Sequence, residues 1–441
     1  MYRRYFLYTA ITLLIAIADG AVIPAGAASS PDKPPEPTGD VALRDALSLA
    51  LQHNPELAAF SIEVRAAEAR TLQAGLRPNP EIGVEVENFA GPGTLRRFDG
   101  AETTIQIGQL IELGGKRPKR ARVASLEQDL AGWDYEAKRA DVLAETSKSF
   151  VDVLAAQERV ALTQDLLHLA EQTFETVSAR VKAGKVSPVE ETRAGVALSN
   201  SRIEHARAQR GLEAARKKLA AAWGSGVPAF ERAVGPLDQV SPIPPADRLP
   251  QEIRGNPDIA RWVTEIEQRK AVSALQEAIR IPDPTLAAGV RRFNETGDSA
   301  FVAGMSIPLP LFNRNQGGVL ESRRRLAKAE RESSAAENRV RASLAETYQT
   351  LSTAVLEIDA LKTTVIPGAQ SAFEAASEGY RQGKFGYLDV LDAQRTLFEA
   401  RGQYISALAT YHKGLADLER AIGKMPESAG QIHETRQGVT Q

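Results

Sequence analysis

The 441-residue sequence predicts a mostly α-helical protein that carries a membrane β-barrel and consists of two structural repeats. Three observations predict this fold. Long segments space their apolar residues three and four positions apart, as amphipathic helices do. Four short segments alternate apolar with polar or small residues, as the strands of membrane barrels do. The second half of the sequence also repeats the first at an interval of about 200 residues, which indicates one structural unit used twice.

The N-terminal segment has the layout of a secretory signal peptide. Arg3 and Arg4 precede an apolar run over residues 5–17, and small residues follow up to Ala28. The run is shorter than the ~20 residues that a membrane-spanning helix needs. Residues 1–28 are therefore predicted to be removed after export.

The composition excludes several functional classes. The chain has no cysteine, which rules out disulfides, thiolate metal sites and a lipid anchor on an N-terminal cysteine. The net charge of −2, from 54 basic and 56 acidic residues, gives no general attraction to nucleic acid. The five histidines are scattered without ligand spacing, and no nucleophile lies in a recognisable catalytic motif. We therefore expect no enzyme, no cofactor, no bound metal and no nucleic-acid partner.

Matching turn residues mark the internal repeat. Asn54-Pro55 recurs as Asn256-Pro257, in each case a helix N-cap followed by proline at the first helical position. A proline-rich segment that cannot hold a continuous helix separates the two copies. The predicted organisation is a signal peptide at 1–28, a linker at 29–40, a first repeat at 41–224, a connector at 225–248, a second repeat at 249–424 and a tail at 425–441.

Each copy predicts the same order of elements. The first copy predicts a helix over 41–77, two strands over 80–113 and two long helices over 116–222 that separate near Gly184. The second copy repeats this order over 249–280, 284–311 and 313–422. A helix that runs from residue 116 to residue 182 would be about 100 Å long. A compact domain does not need helices of that length.

The alternating segments place apolar and polar residues on opposite faces of the strands. Phe301, Ala303 and Met305 share one face of the last strand, and Glu85 and Glu87 are expected to face water inside a lumen. On alternation alone, a soluble β-sandwich is an equal alternative.

The third strand and the strand count add two expectations. Arg291 and Arg292 are adjacent in the third strand, which therefore fits the pattern poorly and is expected to extend beyond the lipid. Four strands cannot close a membrane barrel, so the chain must associate with further copies. Two copies would supply eight strands and three copies would supply twelve.

Several segments resemble the TolC family of outer-membrane efflux proteins. They are the strand-to-helix junctions at residues 111–117 and 307–316 and the turn with its following helix at residues 380–395. Together with the doubled layout, the resemblance covers residues 41–424. The junctions are most similar to the branch of the family that serves heavy-metal exporters of the cobalt-zinc-cadmium type.

The resemblance implies a homotrimer with a twelve-stranded outer-membrane β-barrel, four strands per chain, continued by a long periplasmic α-helical barrel. Such a channel passively conducts exported solutes, here expected to be heavy-metal cations, to the exterior. Its implied partners are outer-membrane lipid, a periplasmic adaptor protein and an inner-membrane transporter, expected to be of the resistance-nodulation-division type. The alternative is a soluble periplasmic coiled-coil adaptor or scaffold protein without a pore.

The resemblance also assigns roles to residues at the helical tips. Asp389 and Asp392 match an acidic pair that rings the narrowest point of family channels. Tyr380 and Glu190 match positions that link neighbouring helices across the closed gate, and Phe385 stands where some relatives have an arginine of that lock. The implied adaptor-docking tip comprises Gly184, Lys185, Ser187, Gly383, Lys384, Phe385 and Gly386.

Local chemistry offers alternatives for some of these residues. Ser187 and Glu190 have the spacing of a capping box, and Asp389 lies in a first helical turn, where the helix dipole favours an anion. A basic run opposes the dipole of its own helix, so it needs partners. Phosphates of the inner leaflet, acidic residues of a neighbouring subunit and solvation all remain open. The run comprises Lys116, Arg117, Lys119, Arg120 and Arg122.

Overall fold

The computed structural model of the chain describes residues 36–246 and 253–423. Several predicted segments lie outside the described residues. They are the signal peptide at 1–28, the first part of the linker at 29–35, the junction of connector and second repeat at 247–252, and residues 424–441 with the tail.

The first repeat contains the predicted strand pair and long helical hairpin, but its start differs. Its elements are β1 (Gly39–Ala42), α1 (Leu43–His53), α2 (Pro55–Ala74), β2 (Glu81–Glu87), β3 (Glu102–Leu110), α3 (Lys116–Lys182) and α4 (Pro188–Ala221). The prediction of one helix over residues 41–77 is therefore wrong. Asn54 is extended, with φ −63° and ψ 120°, and Pro55 has no N–H to continue the helical hydrogen bonds.

The predicted connector contains a strand, β4 (Phe230–Val234), which pairs in parallel with β1. Both strands are only four or five residues long and far apart in the chain. Local patterns therefore do not identify them. Phe230 is fully buried and meets the buried Trp223 edge to face at 6.2 Å between ring centroids. This contact holds the connector against the helices.

The second repeat follows the same order as the first. Its elements are α5 (Pro257–Ile279), β5 (Thr285–Phe293), β6 (Ser299–Ser306), α6 (Gln316–Ala360), α7 (Ile366–Arg381) and α8 (Tyr387–Ile422). A π-helical turn, Leu361–Val365, separates α6 from α7. Pro367 accounts for this turn, because its ring and missing N–H do not fit a regular α-helix. Within residues 36–246 and 253–423, no helix combines the length and apolarity required to cross a membrane.

One asparagine closes each repeat on itself. Asn54 Oδ1 accepts a hydrogen bond from the helix that it caps, and its Nδ2 donates to Ala222 O at 2.8 Å. Asn256 likewise caps α5, and its Nδ2 donates to Ala421 O at 2.9 Å. Each side chain therefore joins the start of one helix to the end of the last helix in the same repeat. The predicted N-caps are confirmed, with a second role that the spacing did not predict.

The strands β2, β3, β5 and β6 form one antiparallel sheet in that order, so each repeat supplies one hairpin. The register aligns Val84, Ile105, Val290 and Phe301 across the sheet. All of these side chains are exposed, Phe301 to 93%. The predicted alternation is confirmed, and it creates an apolar face that the described part of the chain leaves uncovered.

The third strand of this sheet is regular. β5 pairs with β6 through Arg291 and Arg292 and with β3 over its whole length. The poor fit to the alternation is confined to Arg292, which lies on the same face as Phe301, and the expected extension beyond the lipid stays a prediction. Arg291 lies on the polar face among acidic side chains, where its charge has partners.

The two repeats pack together around a shared core. Trp223 of the first repeat and Tyr411 of the second belong to one buried cluster. Arg420 of α8 donates to Asp141 of α3 at 2.6 Å and to Asp258 of α5 at 2.8 Å. These contacts fix the long hairpins of the two repeats beside each other.

Candidate gate and docking tip

The two long helical hairpins end in turns of the same construction. Gly184 and Gly383 have φ values of 66° and 74°, the left-handed conformation in which glycine commonly ends a helix. Lys185 N donates to Arg180 O at 2.9 Å, and Lys384 N makes the equivalent bond at 2.8 Å. The residues of the predicted docking tip are all exposed on these turns, namely Gly184, Lys185, Ser187, Gly383, Lys384, Phe385 and Gly386.

A small buried cluster joins the hairpins directly behind their turns. It contains Val177, Ala194, Ala376, Tyr380, Tyr387 and Val390. These residues come from α3, α4, α7 and α8, so the two turns are held side by side. The rings of Tyr380 and Tyr387 lie 6.1 Å apart at the centre of the cluster.

Tyr380 is the hub of a polar contact between the repeats. Its hydroxyl donates to Glu190 Oε2 at 3.2 Å. Arg180 Nη1 donates to Tyr380 O at 2.8 Å, and the guanidinium lies 4.4 Å from the Tyr380 ring centroid, which is cation–π geometry. The end of α7 is therefore held by α3 through Arg180 and by α4 through Glu190. The predicted partners Tyr380 and Glu190 meet within one chain.

Arg180 has no role in the sequence-based prediction. Arg180 lies just before the first turn, in the segment that corresponds to the one containing Tyr380 before the second turn. Its hydrogen-bond partner, Tyr380, is 200 residues away in the chain. Local spacing cannot identify such a pair. The one local indication of a role for Arg180 is its position in the last turn of α3, because the C-terminal end of a helix favours a cation.

The environment of the two tyrosines keeps them protonated. Burial raises the pKa of Tyr380, and the charge of Glu190 raises it further, whereas Arg180 acts in the opposite direction. Burial also raises the pKa of Tyr387, with a further contribution from Glu190. Since a free tyrosine titrates near pH 10, Tyr380 is a hydrogen-bond donor at neutral pH and Glu190 is its acceptor.

Ser187 caps α4, but the predicted capping box is wrong. Ser187 Oγ accepts from Val189 N at 3.3 Å. The Glu190 side chain does not return to the Ser187 backbone, because its carboxylate is bonded to Tyr380 instead. At the second turn the equivalent acid, Asp389, does bond back to the backbone at the start of its helix.

Asp389 closes the start of α8. Its Oδ2 accepts from Gly386 N at 2.9 Å, so Asp389 lies in the first turn of α8, as predicted, and caps that helix. Both Asp389 and Asp392 are exposed on α8, and their spacing of three places them on one side of the helix. Among the residues that the structure describes, no three His, Asp or Glu side chains lie close enough together to hold a metal ion.

Phe385 packs against Gly379, which precedes Tyr380 in α7. A Cβ at Gly379 would overlap the ring of Phe385. The ring is 51% exposed. Position 385 therefore presents an aromatic surface, and the cation beside Tyr380 comes from Arg180.

Two cations of the basic run at the start of α3 have acidic partners within the chain. Lys116 is buried and its Nζ lies 2.7 Å from Asp283 Oδ2 in the second repeat. Arg120 Nη1 lies 2.5 Å from Glu112 Oε1. These two cations need neither lipid phosphates nor a neighbouring subunit. The sequence alternatives did not include partners within the chain, because the contact between Lys116 and Asp283 joins the repeats.

Comparison with known proteins gives relatives over almost the whole chain. The family described as "Outer membrane efflux protein" matches residues 46–225 and 249–424. The cobalt-zinc-cadmium resistance protein CzcC of Cupriavidus metallidurans is 36% identical over 424 residues, which cover 96% of this chain and 100% of CzcC. The nickel and cobalt resistance protein CnrC of the same species is 27% identical over 314 residues, 70% of this chain and 71% of CnrC.

A solved structure has the same fold. A membrane protein from Pseudomonas aeruginosa matches with a TM-score of 0.74 and 20% identity, over 87% of this chain and 90% of that chain. The predicted helical fold with two repeats and a strand-forming segment is confirmed. The family match also confirms the predicted efflux function and outer-membrane location. Because the family match spans both repeats and the similarity to CzcC runs along almost the entire chain, this chain belongs to the outer membrane efflux protein family.

Proposed function

We propose that this chain is the outlet of a tripartite efflux pump and passively conducts heavy-metal cations to the exterior. The extended similarity to CzcC carries the proposal, since that relative is named for resistance to cobalt, zinc and cadmium. CnrC, named for nickel and cobalt, supports it. These metals are cations in water, so exposed carboxylates along the path would favour their passage.

The sheet supports a homotrimer. In the described chain, β2 and β6 are the two edges of the four-stranded sheet, and open edges are not tolerated in lipid. Pairing β6 of one copy with β2 of the next closes the sheet, and three copies give a twelve-stranded barrel with room for solutes. The exposed apolar face would then contact lipid, and the polar face would line the pore.

The acidic pair on α8 is our candidate for the selective ring at the periplasmic end. Asp389 and Asp392 share one side of the helix and are exposed. In a trimer, three copies of the pair would concentrate negative charge around the axis, attracting cations into a narrow opening. The capping bond of Asp389 occupies one carboxylate oxygen and leaves the charge in place.

The contact around Tyr380 is our candidate for the latch that keeps this opening narrow. Arg180 and Glu190 hold the end of α7 against the first hairpin. Opening requires α7 and α8 to move away from α3 and α4, which breaks these contacts. Arg180 would thus supply the cation that Phe385 cannot.

The exposed turns support docking of a periplasmic adaptor. Both turns carry a glycine and a lysine in equivalent places, Gly184-Lys185 and Gly383-Lys384, and Phe385 adds a half-exposed ring. Such a surface suits the tip of a helical hairpin with apolar and acidic side chains. The partner behind the adaptor would be an inner-membrane transporter of the resistance-nodulation-division type.

Loss of the chain should make its host sensitive to heavy metals. Deleting the gene is expected to lower the growth-limiting concentrations of cobalt, zinc and cadmium salts, and the intact gene should restore them. Tolerance of an uncharged antibiotic is the matched control. Unchanged metal tolerance together with greater antibiotic sensitivity would assign the channel to a different class of solute.

Removing charge from the acidic pair should reduce the preference for cations. D389N/D392N keeps an amide oxygen that can accept from Gly386 N, so α8 should still be capped. D389A/D392A removes the same charge and the cap. Both variants are expected to lower cation-over-anion permeability in planar bilayers equally, and the alanine variant alone should lose about 1 kcal/mol of stability. Wild-type selectivity in assembled channels of both variants would exclude the ring.

Weakening the latch should favour the open channel. Y380F removes only the hydroxyl bond to Glu190, and R180Q removes the cation. Each change should cost the closed state about 1 kcal/mol, or about fivefold in the ratio of open to closed channels. Single-channel recordings measure this ratio. K182Q, which alters an exposed lysine two residues after Arg180 in α3, is the control, and an equal effect of K182Q would refute the latch.

A further inference from the structure

One arginine is fixed among the acidic residues on the polar face of the sheet. Arg291 of β5 has Nη1 at 2.9 Å from Glu102 Oε2 and Nη2 at 3.0 Å from Glu87 Oε2. Its Nε donates to Thr104 Oγ1 at 2.9 Å. A single guanidinium therefore links β5, β3 and β2.

The register separates this cluster from the lipid-compatible face. Thr104 is paired with Arg291 and Glu87 with Glu102, and all lie opposite the face that carries Phe301. Arg292, the next residue, lies on the same side as Phe301 and pairs with Ser299. The two adjacent arginines therefore point to opposite faces of one sheet.

The polar face remains acidic beyond the cluster. Glu81 and Glu85 lie on the same face of β2 as Glu87, and both are exposed. Within the described ranges, neither has a basic side chain within 4.0 Å, whereas Glu87 and Glu102 share Arg291. Arg291 therefore neutralises part of the negative charge of Glu87 and Glu102, and the charges of Glu81 and Glu85 remain without a basic partner.

We propose that Arg291 sets the ion selectivity of the strand-lined pore by acting as a built-in counter-charge to Glu87 and Glu102. This rests on the proposed function, in which the polar face lines the path. A channel must attract its ion and also release it, so no single site along the pore can bind the ion tightly. Without Arg291, each chain would expose two close carboxylates, and three chains would form a site able to retain divalent cations.

Arg291 also links three strands, so the effect of its charge on selectivity must be distinguished from its effect on folding. Arg291 is 31% exposed, Glu87 42% and Glu102 23%. Partly exposed ion pairs contribute modestly to folding, and Arg291 replacements are therefore expected to assemble. Their electrostatic effect should be strongest at low salt, where screening is weak.

The test is the reversal potential of reconstituted full-length channels. R291Q should raise the permeability of potassium over chloride by about twofold or more at low salt and strengthen block by cobalt ions. R291K retains the charge without the fork of donors and should keep selectivity near that of the wild type. R291Q/E102Q has the same net charge as the wild-type cluster and should restore its selectivity.

R292Q is the matched control, because it removes the same charge one residue away on the opposite face. It should leave selectivity unchanged. Wild-type selectivity in assembled R291Q channels, or an equal shift in R292Q, would overturn the proposal. Failure of the wild-type chain to form channels would refute the proposed function instead, so the two failures are distinguishable.

Discussion

The structure depends on the pairing of backbone groups at the edges of its sheet. In the described chain, β2 and β6 each have one side without a neighbouring strand. In hydrocarbon, each unpaired N–H or C=O costs several kcal/mol. The sheet also carries an exposed apolar face, with Phe301 at 93%, which suits contact with lipid. In the proposed trimer, further copies of the chain supply the partners of these two edges.

The two repeats contact each other at successive levels of the molecule, from the sheet to the proposed gate. In the sheet, β3 of the first repeat pairs with β5 of the second. At the strand-to-helix junction, Lys116 binds Asp283 across the repeats. At the far end of the hairpins, Arg180 and Glu190 hold Tyr380. The hairpins are therefore joined at the junction by an ion pair, and at the tip by a buried cluster with polar contacts around Tyr380.

The sequence predicts features that local chemistry determines. The alternation along β6, the Asn-Pro helix starts at Asn54 and Asn256, and the two hairpins follow from spacing and turn residues. Features that depend on distant partners are missed. The short pair of β1 and β4, and the acids around Arg291, require a register that no local pattern specifies. The acid at Glu190 has cap spacing but binds Tyr380, because a buried hydroxyl competes for it.

Cross-linking across the strand edges tests whether copies of the chain complete the sheet. The chain contains no cysteine. Double variants with one cysteine in β2 and one in β6 therefore form disulfides only through the introduced residues. Scanning positions 82–86 of β2 against 300–305 of β6 covers the unknown register, since disulfides form only between close Cα atoms. Pairing between copies predicts covalent products that end at three chains for a subset of positions in outer membranes. Products that end at two chains, or none at any register, would contradict the account.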